Sequence, residues 1–250
     1  QLPPRFTHLT QAGGGGAFLL AHREGITLSD TGTDQIGFFG SYTLKDQKSI
    51  GITQDMILTE NYRFTGQIGY QNNSSDFWGK GTNTKESSLE QFTSEEIIAE
   101  ASLLRKISSS LYTDPKIRFQ YMDILETENG GILEEKNLAG SSGGTESGLG
   151  IRFIYDTTDS PFYPTEGILA EGSALFSSNA LTGSDFDYTN IKADIRYYIG
   201  IKGKHVLAFQ SVAEFCTEGV PFQFMSTIGG SMIMRGFPQN RFTDTDSIAF

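Results

Sequence analysis

Apolar and polar residues alternate with a period of two through most of this chain, and this pattern constrains the fold more than any other feature. In the segment 187–199, every second residue from position 191 onward is apolar, and the residues between are mostly charged or polar. The same alternation marks 62–70 and 36–44, where Phe39 is the exception. Because successive side chains of a strand point to opposite faces, the pattern predicts strands with one apolar and one polar face. Helical periodicity is almost absent, so the sequence predicts an all-β protein.

Weaker alternation marks further candidate strands along the chain. They are 17–24, 48–58, 96–107, 116–124, 148–156, 167–177 and 204–216, and 247–250 begins another. This makes ten or eleven strands, many of them of ten or more residues. Strands in soluble proteins usually have about 5–6 residues, whereas a strand that crosses a membrane needs about 9–11. The lengths therefore favour an antiparallel transmembrane β-barrel.

The polar faces carry charges of both signs, as at Arg152 and Glu171. A membrane barrel turns such residues toward a wet lumen, whereas a soluble sandwich exposes them and buries the apolar face, and alternation alone does not separate the two. The connections help to decide. Short ones are expected at 45–47, 59–60 and 200–203, and long polar ones at 72–95, 125–147 and 220–246. Short turns at one rim and long loops at the other are typical of outer-membrane barrels.

Charge and composition argue against several partners and chemistries. A net charge of −11 disfavours nucleic acid and anionic lipid surfaces. Cys216 is the only cysteine and the three histidines are far apart, so the sequence predicts no disulfide, metal site, cofactor or catalytic residue. Asp156 and Asp159 could hold a cation or form an acid–base pair. In the context Y-D-T-T-D, however, they are more typical of aspartates that cap a tight turn.

The stretch 227–242, T-I-G-G-S-M-I-M-R-G-F-P-Q-N-R-F, is the most informative part of the chain for function. Arg235 lies between a short apolar run and a Gly-Phe-Pro turn. A guanidinium group has five donors, and leaving it buried without a partner is very costly. We therefore expect Arg235 to bind a specific partner.

Three segments of the chain resemble the outer-membrane assembly barrels of the BamA/TamA type, also called the bacterial surface antigen family. Residues 228–237, I-G-G-S-M-I-M-R-G-F, are similar to the family's signature loop with its R-G-F/Y core. Residues 148–167 are similar to the strand and F-x-P-T-x-G hairpin that precede this loop, and 75–81, S-D-F-W-G-K-G, resemble a loop of smaller members. The resemblance implies a periplasmic turn motif formed by Asp156, Asp159, Phe162, Pro164 and Gly167.

The resemblance also implies that the signature loop starts on the extracellular side and folds back into the lumen. Arg235 would there contact acidic and aromatic groups of the barrel wall, in a turn set by Gly236 and Phe237. Gly229 and Gly230 would allow the close backbone approach that the fold-back needs. The family barrel has about sixteen strands. We therefore expect residues 1–250 to be one partial barrel domain without POTRA modules, with Phe250 as a truncation point and the acidic partner of Arg235 beyond it.

The function implied by the resemblance is not enzymatic. It is the insertion of outer-membrane proteins, or the translocation of polypeptides, in the bacterial outer membrane. The implied partners are outer-membrane lipids, client polypeptides and assembly partners. A passive pore or structural barrel without insertase activity is the alternative, and a soluble carbohydrate-binding β-sandwich is a third hypothesis.

Overall fold

The computed structural model describes residues 13–22, 34–135, 138–201, 205–231 and 233–249, so Phe250 lies outside the described residues. One antiparallel sheet of eleven strands dominates the fold, beside a pair of short strands. Its strands are β1 (Gly13–His22), β2 (Asp34–Thr43), β3 (Lys48–Thr59), β4 (Tyr62–Phe77), β5 (Glu90–Lys106), β6 (Leu111–Glu126), β7 (Gly144–Asp156), β8 (Gly167–Ser177), β9 (Tyr188–Ile201), β10 (His205–Cys216) and β13 (Asp246–Ala249). The short pair is β11 (Ser226–Ile228) and β12 (Phe242–Asp244). Within the described ranges, the helices are α1 (Ile132–Glu135), α2 (Asn179–Thr182) and the 3-10 turns Glu86–Ser88 and Phe222–Phe224.

The eleven strands are paired in chain order, from β1 to β10 and then β13. The prediction of an all-β antiparallel fold with ten or eleven strands is therefore confirmed. Among the described residues, no helix has the length and apolar character that crossing a membrane requires.

Strands β4 and β5 are longer than the alternation predicted, with 16 and 17 residues. The added stretches, 72–77 and 90–95, were predicted as loop because they are mostly polar. The two strands nevertheless stay paired up to Phe77 and Glu90, and polar side chains bond across them. Asn72 Nδ2 donates to Glu95 Oε1 (3.3 Å). Backbone pairing can hold two strands together without an apolar face. Alternation therefore underestimates the length of a strand that continues beyond the apolar surface of the sheet.

The apolar faces of the strands point outward. On β9, Ile191 and Ile195 are 53% and 50% exposed, and on β10 Phe209 is 56% exposed. Tyr197 pairs with Phe209 across the two strands, so neighbouring strands form one continuous apolar surface. A soluble sandwich would bury these side chains in a core. The exposed surface instead fits lipid contact, which excludes the sandwich hypothesis.

The sheet is strongly curved. The N–H of Gly81, after β4, donates to the carbonyl oxygen of Thr243, before β13 (2.8 Å). Seven strand spacings separate β4 from β13, roughly 33 Å in a flat sheet. The curvature creates a concave inner face that carries the charged residues, and a small apolar core lies at the end of this face near the long loops. Its buried members are Phe77, Phe92, Leu133, Leu175, Tyr188, Cys216, Val220, Phe222 and Met225.

The connections sort into two rims. The connections 60–61, 107–110 and 157–166 lie at one rim, and 44–47, 78–89, 127–143, 178–187 and 217–245 lie at the other. The second rim carries the long loops as predicted, together with the short turn at 44–47, while the first rim also carries the longer connection 157–166. The predicted short turn at 200–203 lies partly outside the described residues.

Candidate functional site in the loop between β10 and β13

The loop 217–245 is an ordered structure with a stem of its own. Strands β11 and β12 form that stem, with Thr227 opposite Thr243. Between them, the N–H of Gly230 donates to the carbonyl oxygen of Phe237 (3.1 Å). The stretch 227–242, singled out from the sequence, therefore forms a hairpin-like loop on the two-stranded stem of β11 and β12.

Glycine is required where the chain leaves β11, at the end of the two-stranded stem. Gly229 has φ +132°, and a Cβ atom there would overlap the carbonyl oxygen of Pro238. Gly230 and Gly236 also have positive φ, +87° and +100°. These are conformations that residues with a side chain rarely adopt, so the three glycines shape the turn around Arg235.

Arg235 itself is exposed in this loop. Its Nε donates to the carbonyl oxygen of Ser231 (3.1 Å), and none of the ion pairs between described residues includes it. The neighbouring Phe237 ring lies 5.4 Å from that of Phe242. The lumenal contact of Arg235 with an acidic group therefore stays a prediction.

A second arginine of the loop, Arg241, binds the loop to the connection 78–89 between β4 and β5. Its Nη1 and Nη2 donate to the Oγ1 and carbonyl oxygen of Thr84, both at 2.8 Å. Its guanidinium group lies 4.7 Å from the Phe242 ring and 5.6 Å from the ring of Trp78, which is 4% exposed. The planar fork of arginine suits this combination of paired donation and stacking. The sequence showed this arginine but no signal that it docks on 78–89.

The base of the loop is held by aromatic packing. The Phe222 ring lies 5.1 Å from that of Phe77 and 5.2 Å from that of Phe92. Two residues on, the Phe224 ring stacks on Tyr188 at 6.4 Å. The loop therefore contacts β4 and β5 as well as β9, on different parts of the curved sheet.

Arg118 of β6 lies beneath this base. Its Nε donates to Glu146 Oε2 (2.8 Å) and its Nη2 donates to the Tyr188 hydroxyl (2.9 Å). The guanidinium group also lies 4.7 Å from the Phe224 ring. The side chains of Arg118 and Glu146 are 11% and 0% exposed. An arginine between an acid and aromatic rings is the environment implied for Arg235, but here the wall supplies the arginine and the loop supplies an aromatic ring.

Further ion pairs line the inner face. Arg152 Nη2 contacts Asp114 Oδ2 at 2.7 Å, and Arg152 Nη1 contacts Glu171 Oε2 at 3.4 Å. Lys192 and Glu214 pair at 3.3 Å. No group of three or more metal-ligating side chains that could hold an ion is found in the part of the chain that the structure describes. The concave face is thus a charged, internally paired surface.

The second predicted motif lies in the connection between β7 and β8, at the opposite rim. Asp156 Oδ1 accepts bonds from the N–H and hydroxyl of Thr158 (2.8 and 2.7 Å). Asp159 Oδ1 accepts the N–H groups of Thr165 (2.7 Å) and Glu166 (3.2 Å). Bonds from Thr165 hold the pKa of Asp159 below its usual value. Both carboxylates therefore stabilise the turn itself.

The other three residues of this motif share the same connection. Phe162 is exposed and Pro164 is half-buried at the tip, while Gly167 begins β8. Gly167 has φ +107°, and a Cβ atom there would overlap the carbonyl oxygen of Thr157. The five residues thus form one connection, at the rim opposite the 217–245 loop.

Substitution of Gly167 tests how much this turn contributes to stability. Gly167→Ala is expected to lower the free energy of unfolding by at least about 1–2 kcal/mol, because alanine is strained at positive φ and its methyl group displaces Thr157. Gly172→Ala in the same strand is the matched control, since no atom lies within 4 Å of a Cβ there. Urea unfolding of the reconstituted protein measures both. Equal midpoints for the two variants would contradict the requirement for glycine at position 167.

Comparison with known proteins agrees with the geometry. The sequence matches the Omp85 superfamily domain over residues 32–248. The fold is similar to that of BamA from Haemophilus ducreyi lacking POTRA domains 1–3, with a TM-score of 0.62 and 16% sequence identity. That match covers 92% of this chain and 47% of the BamA chain, so this chain spans about half of its length. None of the curated proteins matches the sequence significantly.

An outward apolar surface, an inward charged one and strands paired in chain order define a transmembrane β-barrel. The structural likeness supports the same fold. Because the family domain matches most of the sequence, the chain belongs to the Omp85 superfamily.

Proposed function

We propose that this chain forms the barrel domain of a bacterial outer-membrane protein that inserts other outer-membrane proteins or translocates polypeptides. The work is mechanical rather than enzymatic. Its partners are the surrounding lipids, unfolded client polypeptides and assembly factors. Membership of the Omp85 superfamily and the likeness to BamA support this proposal.

The observation that carries the proposal is the double attachment of the 217–245 loop. Phe222 packs against the paired strands β4 and β5, and Arg241 bonds to Thr84 in the connection between them. The ends of the loop continue into β10 and β13. The loop therefore joins the β4–β5 part of the wall to the β10–β13 part. A change in the distance between these two parts would change the conformation of the loop. In a barrel that moves polypeptides, this loop would couple a client in the lumen to the separation of these strands.

A passive pore is the second candidate. The inner face carries ion pairs such as Arg152–Asp114, and a charged lining suits a water-filled channel. Against it, the buried base of the loop occupies the concave face near the long-loop rim. Planar-bilayer conductance without any acceleration of client folding would favour the pore.

The test compares Arg241→Ala, which removes the attachment to Thr84, and Arg235→Ala with Gln239→Ala, a change of another exposed residue of the same loop. The full-length protein is reconstituted in liposomes, and the folding rate of an outer-membrane client is measured. We expect Arg241→Ala and Arg235→Ala to slow client folding or barrel assembly severalfold and Gln239→Ala to leave both unchanged. Full activity of Arg241→Ala would contradict a role of the loop attachment, and full activity of Arg235→Ala, with unchanged heat-modifiable gel migration, would contradict a role of Arg235.

A further inference from the structure

The outer face of the sheet carries a groove across strands β1 to β4. Gly16 and Gly40 lie directly opposite each other in the pairing of β1 with β2. Each shares its face with an exposed phenylalanine two positions away, Phe18 or Phe38. No atom lies within 4 Å of a Cβ atom placed at Gly16. The two glycines therefore form the floor of an open cavity of about 750 Å³.

Large apolar side chains form the walls of this groove. Phe18 stands opposite Phe38 at one end. Along the side, Ile50 lies opposite Gly40 on one strand and opposite Tyr70 on the next, and Ile50 is 63% exposed. The volume falls within the roughly 300–1,000 Å³ of small-molecule sites. An acyl chain in the groove gains dispersion contacts on its sides as well as beneath it, which a flat wall does not provide.

Positive charge lies at the end of the groove that faces the long-loop rim. The Lys48 ammonium group lies 5.8 Å from the ring centre of Tyr70, which lines the groove. Lys45, in the adjoining turn 44–47, is exposed as well. None of the ion pairs between described residues includes either lysine. Ammonium groups beside an apolar groove match the chemistry of a lipid, in which a phosphate group adjoins the acyl chains.

The carboxylates of this rim are bonded to neutral donors. The Tyr42 hydroxyl donates to Asp46 Oδ1. The Tyr70 hydroxyl and Asn72 Nδ2 both donate to Glu95 Oε1, at 2.8 and 3.3 Å. The two lysines are therefore left to bind an external anion. The net charge of −11 disfavours attraction to an anionic membrane as a whole, but it acts over longer distances and is screened by salt, whereas this site acts by contact.

We propose that this groove is a binding site for one anionic, phosphate-bearing lipid. One acyl chain of the lipid lies over Gly16 and Gly40, and its phosphate group contacts Lys48 and Lys45. The site differs from the rest of the lipid-facing wall because it retains a single lipid molecule. It rests on the barrel wall alone and is independent of the function proposed above.

Photochemical cross-linking tests the acyl-chain contact. The full-length protein is placed in phosphatidylcholine vesicles that contain increasing amounts of phosphatidylglycerol with a diazirine in its acyl chain, and labelling of the segment 13–59 is measured. Gly40→Leu and Gly16→Leu fill the groove. Gly172→Leu in β8 is the matched control, since no atom lies within 4 Å of a Cβ there. None of the three glycines has a positive φ, so leucine introduces no backbone strain. We expect saturable labelling of wild type and Gly172→Leu, and severalfold less of the filled variants.

The headgroup contact is tested separately in the same vesicles. Lys48→Ala should lower the saturable labelling by phosphatidylglycerol severalfold, and high salt should have the same effect on the wild type. Lys106→Ala, which changes an exposed lysine at the opposite rim, should leave the labelling unchanged. Equal labelling of Lys48→Ala and the wild type would overturn the contact with phosphate.

Two results would overturn the site itself. Labelling that rises without saturation, to the same extent in Gly40→Leu and the wild type, would show ordinary exchanging lipid. Native mass spectra with two protein copies and no retained lipid, reverting to one copy in Gly40→Leu, would show that a second copy occupies the groove. Heat-modifiable gel migration reports the folding of each variant, and Gly16→Leu replaces Gly40→Leu if the latter does not fold. Client folding is not measured, so this outcome is separate from that of the insertase test.

Discussion

Arg118→Met is expected to destabilise the barrel by about 3–5 kcal/mol, the usual cost of leaving one partner of a buried ion pair alone. The side chain of Glu146 is 0% exposed. Without Arg118 its carboxylate keeps the hydrogen bond from the Tyr188 hydroxyl (3.2 Å) but loses its paired positive charge. The contact of the guanidinium group with Phe224 is lost as well. The substitution therefore also weakens the packing of the 217–245 loop against the inner face of the sheet.

Urea unfolding in detergent micelles, followed by heat-modifiable gel migration, measures this loss. The matched control is Arg63→Met, because Arg63 pairs with Asp55 but its side chain is 36% exposed, so its loss should cost less than the loss of a buried partner. Adding Glu146→Gln to Arg118→Met removes the unpaired charge and should recover most of the stability. A single variant no weaker than the control, or a double variant without recovery, would contradict a buried ion pair at this position.

Arg241→Ala is expected to release the 217–245 loop from the connection 78–89. The variant loses two charge-assisted hydrogen bonds to Thr84 and the stacking on Trp78 and Phe242. Allowing for partial exposure, we expect roughly 2–3 kcal/mol in the docking equilibrium. Because the strands keep their own pairing, the stability of the barrel as a whole changes less.

Hydrogen exchange detects this release at a specific bond. The Gly81 N–H donates to the carbonyl oxygen of Thr243 across the docked interface, so its exchange should accelerate in Arg241→Ala. Gln239→Ala is the matched control, since Gln239 is an exposed residue of the same loop and its Nε2 donates to Asn240 within that loop. Unchanged protection of the peptide around Gly81 in Arg241→Ala would show that other contacts hold the loop.

The strand pattern was largely predictable, because alternation is a local consequence of which face meets lipid. The outward faces of β9 and β10 are those that the alternation indicated. The prediction was less good at 72–95 and 125–147, where paired strands extend further than expected. These stretches are mostly polar apart from isolated aromatic residues such as Phe77 and Phe92, and backbone pairing by itself leaves no periodic signal in the side chains.

The turn at 157–166 was also within reach of the sequence. Aspartates bond to backbone N–H groups a few residues away, as Asp159 does to Thr165. The two bonded residues are only six positions apart, so the bond depends on a local spacing that the sequence shows directly. The exposure of Phe162 and Tyr163 is different, because it depends on what surrounds the turn in space.

The sequence by itself determined the strands, their two faces and the family, since each rests on neighbouring residues or on a local motif. Only the tertiary structure showed which groups the individual arginines bind. Arg241 and Thr84 are 157 positions apart, and Arg118 meets Tyr188 across 70 positions. Contacts of that kind exist because the sheet curves and the loop folds onto its concave face, and neither the curvature nor the docking leaves a periodic mark on the chain.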